Sequence, residues 1–481
     1  MTDLAARVLR PEQNDHPVRS LMDVDFYKPT MSAYAAELHP GITVKFSLIN
    51  RNRNIPVARI VPEDELRAAL DHALSLRVRR TDTYYLAGMD IYGRNMFSPK
   101  QIKRFAELKL PPYSLRRVGD QYELSVEGEW SDVTFWETIA MAAIMELYFR
   151  SLMRRMSKTE IELLHGAMDN KLYRKLKRIA ERPDIRISDF STRRRQSFLR
   201  QKRSIEMAKN VLGDQFSGTS NTYLAFAEDL VPIGTNAHEL PMVLTALANA
   251  KAVRDGVPVG SPEHAAILRS AQYDVLREWS SLYGTGLRVV LPDTYGSAQF
   301  FSGMPDDLAD EIASSWRGMR QDSGDPIAEC EGFIRWLASR GVSDPVKAGK
   351  ICIFSDGLDV KVDGYGAISS EPDIIELHDA FRGRIITPFG WGTNLANDPR
   401  GCLPEPDGVV PGLEDLGLRW KDVFKGFSLV CKVAEVSDGK SSAAAVKLSN
   451  NYDKATGPKD AVDVYRAIFG ESGAIRKDVI V

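Results

Sequence analysis

Gly234-Thr235-Asn236-Ala237-His238-Glu239 sets an imidazole beside a carboxylate directly after an apolar run, where an amphipathic pattern from Ala237 to Val253 begins. A helix start offers unpaired backbone N–H groups and a positive dipole end, so a histidine there suits a group that receives or holds a phosphoryl unit. Glu239, or Asp293 at the end of another apolar run, can hold the second ring nitrogen and fix the tautomer. A lone histidine in this place more often caps or packs. Here six further polar motifs follow apolar runs in the same way: Asp189–Arg195, Ser217–Asn221, Pro292–Tyr295, Arg320–Pro326, Ser355–Asp359 and Gly390–Asn394. Polar loops at the C-terminal ends of successive strands are where α/β enzymes gather their chemistry.

Within these motifs, Arg320 stands two residues from Asp322 ahead of a glycine turn and Pro326, a proline suited to the first position of a helix. Asp356 and Asp359 flank Gly357, a layout that suits ribose hydroxyls or Mg²⁺. Gly390-Trp391-Gly392-Thr393-Asn394 presents backbone amides after a strand, as phosphate-cradling loops do. Taken singly, each also reads as an N-cap or an ion-paired turn. The run Arg193, Arg194, Arg195, Arg200, Lys202, Arg203 contains no acid and suits phosphate, while its later members equally suit a solvated helix face. GxxxxGK[ST], HExxH, paired-cysteine and Gly-x-Ser-x-Gly motifs are all absent from the sequence.

Composition narrows the class. A formal charge of -2 with 27% charged residues gives no global attraction to nucleic acid or to an anionic membrane, so anion binding must be local. Cys330, Cys352, Cys402 and Cys431 are far apart and read as buried free thiols. No stretch reaches the roughly 18 apolar residues of a membrane span, and the N-terminus lacks a signal layout, so a cytoplasmic location is expected.

The elements that must position these loops follow from periodicity. Residues 1–20 read as a mobile tail. A helix over Pro29–Leu38, a strand over Thr43–Ile49, helices near Glu63–Leu76 and Pro99–Glu107, a hairpin of Tyr113–Val118 and Tyr122–Val126 around Gly119-Asp120, and a long helix near Val133–Met156 make an α+β region over 21–156. From 157 to 419 strand-like runs (Ile185–Ile187, Phe226–Ile233, Leu287–Leu291, Lys350–Phe354, Arg384–Phe389) alternate with helix-length segments, which predicts a parallel α/β barrel domain. Phe427–Val433 and Ala444–Leu448 return to β patterning, so 420–481 is expected to join the first region.

The motif set, together with Asp23-Val24-Asp25-Phe26-Tyr27-Lys28-Pro29-Thr30-Met31, resembles the nicotinate phosphoribosyltransferase family, from about Leu21 to the end of the chain. The resemblance implies an irregular, TIM-like α/β barrel with an α+β domain built from both chain ends. It implies transfer of phosphoribose from 5-phosphoribosyl 1-diphosphate to nicotinate, with Mg²⁺, and with ATP hydrolysis coupled through a phosphohistidine at His238. It also implies a homodimer with shared active sites. On this reading Tyr27 from the partner subunit and Phe190 sandwich the pyridine, Arg320 lies near its carboxylate, and Arg193 with Gly392 and Thr393 binds phosphate. Asp322 and Asp356, beside Gly357, hold ribose and Mg-diphosphate, and Asp293 orients His238. Ser220 stands where the related nicotinamide enzyme has an aspartate, and a carboxylate there would repel nicotinate. Leu240 departs from a tryptophan common in this subgroup. Nicotinamide or quinolinate as acceptor, and an inactive nucleotide-binding homologue, are the alternatives.

Overall fold

The computed structural model describes residues 16–90, 92, 96–365, 372–470 and 475. Two sheets organise the chain. The first is antiparallel, in the order β11-β10-β1-β3-β2, with β1 Thr43–Asn50, β2 Tyr113–Val118, β3 Gln121–Glu129, β10 Leu429–Ser437 and β11 Ser442–Ala444. Segments nearly 400 residues apart in sequence are therefore hydrogen-bonded neighbours: β10 pairs with β1 along its whole length, Lys432 opposite Ser47. The β2–β3 hairpin turns at Gly119, whose φ of 60° is available to glycine at no steric cost.

The second sheet is parallel, in the order β5-β4-β9-β8-β7-β6: β4 Arg186–Asp189, β5 Phe216–Thr219, β6 Val289–Val290, β7 Gly318–Gln321, β8 Ile351–Phe354 and β9 Pro388–Trp391. Its strands are two to four residues long and buried on both faces, as parallel strands covered by helices are. Of the expected strand runs, Ala444–Leu448 contributes only Ala444 to β11, and those of the parallel sheet appear, some shortened, except Phe226–Ile233. Its first residues complete a short helix, Thr222–Ala227, and only Val231–Ile233 bridges to Thr219, extending the sheet past β5. The helix wins because Asn221 caps it, its Oδ1 accepting from Leu224 N at 2.9 Å.

Helix α1, Tyr27–Leu38, lies in the core, and α2, Trp136–Met153, is buried on nearly every side, consistent with its lack of a polar face. Helix α3, Lys158–Ala180, starts at a capping box: Glu160 N donates to Ser157 Oγ and Ser157 N to Glu160 Oε2. Helix α4, Glu239–Arg254, begins at His238, and α5, Pro326–Ser339, is capped by Asp325 with proline at its first position, as expected. The tail expectation fails for residues 17–20, because Val18 is buried and Arg195 Nη2 donates to Pro17 O at 2.9 Å; residues 1–15 lie outside the described residues. All four cysteines are buried and free. Among the described residues no helix is long and apolar enough to cross a membrane.

Candidate active site

The loops after β4, β7, β8 and β9 meet the edge of the antiparallel sheet around a cleft of about 1000 Å³ including its mouth. From the parallel sheet come Phe190, Arg193, Arg194, Arg320, Asp322, Ser355, Asp356, Gly357, Leu358, Gly392, Thr393 and Asn394. Arg51 at the end of β1, Val430 and Lys432 on β10, and Lys447 and Lys454 farther on complete the lining. Seven cationic side chains face two carboxylates, so the cleft is strongly electropositive in a chain of near-zero net charge.

Phe190 forms an apolar patch in this polar lining. Its ring packs directly against Gly390 on the neighbouring strand, where a Cβ would come within 2.4 Å of two ring carbons. The Arg320 guanidinium lies 5.8 Å from the ring centroid. Arg320 also donates to Asp322 Oδ1 at 2.6 Å and to Ser355 Oγ at 2.8 Å, which ties the β7 and β8 loops together. Lys454 Nζ donates to Asp356 Oδ1 at 2.5 Å.

His238 sits just behind the cleft wall formed by Asp322 and Lys447, only 4% exposed. Nδ1 is 2.9 Å from Thr294 Oγ1, and Nε2 is 3.0 Å from Asp322 Oδ2 and 2.9 Å from Lys447 Nζ. Burial, with Lys447 alongside, lowers its pKa to about 4 against the pull of Asp293 and Asp322, so the ring is neutral near pH 7. Burial opposes the charge of Asp322, but Arg320, His238 and Lys447 outweigh it and hold the carboxyl well below the usual range. The C-terminal segment reaches this spot because Leu448 N and Ser449 N both donate to Thr294 O.

Several expectations change. The partner on Nδ1 is neither Glu239 nor Asp293 but the Thr294 hydroxyl. Asp322, not Asp293, is the nearest carboxylate, with Asp293 Oδ1 3.8 Å from Nε2. Glu239 turns into the core, where Lys28 Nζ, Trp130 Nε1 and Thr134 Oγ1 donate to it. Within its own chain Tyr27 does not line the cleft: it is 4% exposed, with the Arg193 guanidinium 5.7 Å from its ring, and its expected place in the partner subunit's cleft concerns a second chain. Ser220 Oγ donates to Asp25 Oδ1 at 2.6 Å, and Asp25 Oδ2 lies 3.0 Å from Arg193 Nε. A carboxylate thus does stand beside Ser220, paired to an arginine. Asp359 is engaged by Lys175 and Arg400 and is 4% exposed, so it is closed to a ligand.

Of the basic run, only Arg193 and Arg194 reach the cleft. Arg195 is buried on Asp23, Arg200 and Arg203 pair with Asp169, and Lys202 pairs with Glu228. Sequence reasoning missed Arg51, Lys432, Lys447 and Lys454. Lys432 and Lys447 stand on alternating β patterns that mark which residues share a face, but no motif surrounds them. Burial drives the Lys432 pKa down to about 7, partly offset by Glu137 and reinforced by Lys447, Arg193 and Arg51. Burial together with Arg193 and Arg51 lowers Arg194 to about 10.

Comparison with known proteins follows the same lines. Residues 22–145 match the nicotinate phosphoribosyltransferase (NAPRTase) N-terminal domain, and residues 185–403 match the nicotinate phosphoribosyltransferase (NAPRTase) family. The fold is similar to the crystal structure of nicotinate phosphoribosyltransferase from Vibrio cholerae, at 26% identity and TM-score 0.75 over 95% of each chain. It is also similar to that from Porphyromonas gingivalis, at 24% identity and TM-score 0.71 over 93% of this chain and 98% of the other. Both matched regions lie in order along one chain and both supply cleft residues, so the chain belongs to the nicotinate phosphoribosyltransferase family.

Proposed function

We propose that the cleft joins nicotinate to 5-phosphoribosyl 1-diphosphate, releasing diphosphate and forming nicotinate mononucleotide, with ATP hydrolysis coupled through transient phosphorylation of His238. The observation that carries this reading is the cleft's composition: one aromatic face, two carboxylates and seven basic side chains beside a buried histidine, in a chain of this family. The pyridine ring stacks on Phe190 with its carboxylate toward Arg320, a contact worth about 0.5 to 1.5 kcal/mol beyond burial. The diphosphate lies among Arg51, Arg194, Lys432, Lys447 and Lys454, with Asp356 of the β8 loop holding Lys454 in place and Gly392-Thr393 of the β9 loop taking the donor's other phosphate. As the bond from ribose C1 to diphosphate breaks, positive charge grows on the sugar and negative charge on the leaving group. Asp322 and Asp356 stabilise the charge on the sugar, and the cations stabilise that on the leaving group. The pyridine nitrogen then forms the new bond to C1.

His238 fits the phosphoryl-acceptor role because its ring is neutral near pH 7 and Thr294 holds Nδ1, leaving Nε2 beside Asp322 and Lys447 at the cleft wall. Oxygen ligands suit Mg²⁺. Asp322 and Asp293 bring carboxylate oxygens within 4.8 Å of each other and of the imidazole, and Asp293 Oδ1 is buried without a hydrogen-bond partner. Asp322 and Asp293 would hold the ion, whose chemistry there is to neutralise phosphate charge. We further propose a homodimer with cleft residues supplied across the interface, on the family resemblance alone.

One observation bears on a second reading, nicotinamide as acceptor: Asp25 places a carboxylate beside Ser220, both buried behind the cleft lining next to Arg193. Arg193 neutralises that carboxylate, which keeps nicotinate the better fit. The deciding experiment is a competition among nicotinate, nicotinamide and quinolinate with one phosphoribosyl donor. Preferential consumption of nicotinate supports the assignment, and preference for either of the others rejects it.

A further inference from the structure

Lys171, Arg174, Lys175 and Arg178 recur at three- and four-residue spacing along α3, which puts them on one helix face. A basic row of this kind usually faces solvent. Here it grips the backs of two cleft loops. Lys171 donates to Arg400 O at 2.7 Å, Arg174 to Asp363 O at 2.9 Å and Arg178 to Lys361 O. Lys175, almost fully buried, places Nζ 2.5 Å from Asp359 Oδ1 and 2.6 Å from Asp398 Oδ2. Asp359 closes the loop after β8, and Asp398 closes the loop after β9. Arg400 bridges the same pair, donating to Asp359 Oδ2 at 2.9 Å and to Asp398 Oδ1 at 2.7 Å, and also to Asn394 Oδ1 at 2.8 Å. Asn394 in turn donates to Leu358 O at 2.9 Å, and both of these residues line the cleft.

We propose that the cluster of Lys175, Arg400, Asp359 and Asp398 is a positioning device that sets the separation of the β8 and β9 loops, and with it the fit of the phosphoribosyl diphosphate between Asp356 and Gly392-Thr393. The inference rests on the function proposed above, because it takes those loops as the donor's seat. Two physical arguments carry it. A buried ion cluster contributes little net stability compared with well-packed apolar side chains, so its value lies in geometry. Each acid belongs to a different loop, and Lys175 and Arg400 each hold both, while Lys171 pairs with Asp398 alone at 2.6 Å. None of the four side chains lines the cleft, so the device acts only through the loops.

The test compares full-length wild type with Lys175→Met, Lys175→Arg and Arg400→Gln. It measures KM for both substrates, calorimetric Kd for inorganic diphosphate, and thermal unfolding. A loop misplaced by about 1 Å costs on the order of tenfold to hundredfold. The expected result is that Lys175→Met and Arg400→Gln raise the KM for the phosphoribosyl donor and the Kd for diphosphate about tenfold or more and leave the KM for nicotinate within about twofold, while Lys175→Arg falls between wild type and Lys175→Met. Folded variants with unchanged donor KM and diphosphate Kd overturn the proposal, and so does an equal rise in both substrates' KM. Should Lys175→Met fail to fold, Arg400→Gln decides, because that side chain is 34% exposed and its replacement leaves the buried lysine paired. A wild type that makes no nucleotide from nicotinate defeats the functional reading instead, and the diphosphate Kd still judges the device.

Discussion

Asp322 Oδ2 lies 3.0 Å from His238 Nε2, so the carboxylate that faces the cleft also touches the imidazole behind its wall. The same carboxylate accepts from Arg320 on its other oxygen. Charge placed on His238 is therefore felt at the guanidinium beside Phe190 through a single side chain. Asp322→Asn keeps the shape and removes the charge, and turnover with nicotinate is expected to fall on the order of a hundredfold, with the melting temperature nearly unchanged. A turnover within about threefold of wild type would remove Asp322 from the account.

His238 gives a second prediction. Incubation with γ-labelled ATP should leave acid-labile, base-stable label on the wild type and none on His238→Ala, and ATP should no longer improve nucleotide formation by that variant. Label that persists in His238→Ala assigns the phosphoryl group elsewhere.

Lys432 predicts a pH dependence with a definite sign. Its pKa is lowered by burial to about 7, so it is a cation below that pH and neutral above it. Diphosphate affinity should weaken as pH rises through about 7 to 8, and Lys432→Met should flatten this trend. For stability the sign is opposite. The unfolded chain keeps the proton up to the ordinary value of 10.5 while the folded chain releases it near 7, so the penalty is fully present below about 7 and fades toward 10.5. Lys432→Met should therefore melt higher than wild type at pH 6, with the gap closing at high pH. A lower melting temperature at pH 6 contradicts the assignment.

Gly390 predicts a backbone-driven effect on the pyridine alone. A methyl at this position meets the Phe190 ring at 2.4 Å, so Gly390→Ala must push the ring toward the cleft. Loss of stacking worth about 0.5 to 1.5 kcal/mol corresponds to a rise in nicotinate KM of roughly twofold to twelvefold. The donor KM should move less, and equal changes in both would point to general distortion of β9.

How much of this was legible in the sequence depends on where each residue sits relative to a motif. His238, Arg320, Asp322 and Asp356 are each set by a short local pattern at a strand end, and the structure brings them to one cleft or its wall. The four cations Arg51, Lys432, Lys447 and Lys454 come from distant segments, partly through the pairing of β10 with β1, and single-sequence periodicity does not specify such pairing. Glu239 stands next to His238 in sequence yet faces the core, because neighbouring positions at a helix start point about 100° apart. The Phe226–Ile233 run misled because apolar composition alone does not separate a short helix from a strand. Lys175 carries no motif in the sequence, and only coordinates show two acids closing over it.

Ser220 tests the specificity argument. Its hydroxyl already donates to Asp25, so Ser220→Asp sets two carboxylates side by side where only Arg193 compensates. The expected outcome is a rise in nicotinate KM of about tenfold, transmitted through Arg193 at the cleft, with nicotinamide affected less. Equal effects on the two pyridines would detach Ser220 from the choice of substrate.

The central claim is phosphoribosyl transfer to nicotinate in this cleft, and the most direct measurement follows purified protein given equimolar nicotinate and nicotinamide with 5-phosphoribosyl 1-diphosphate, Mg²⁺ and ATP. Nicotinate mononucleotide and diphosphate are expected to form together, with nicotinate consumed first. Nicotinamide consumed first, or no mononucleotide from a folded protein, would contradict it.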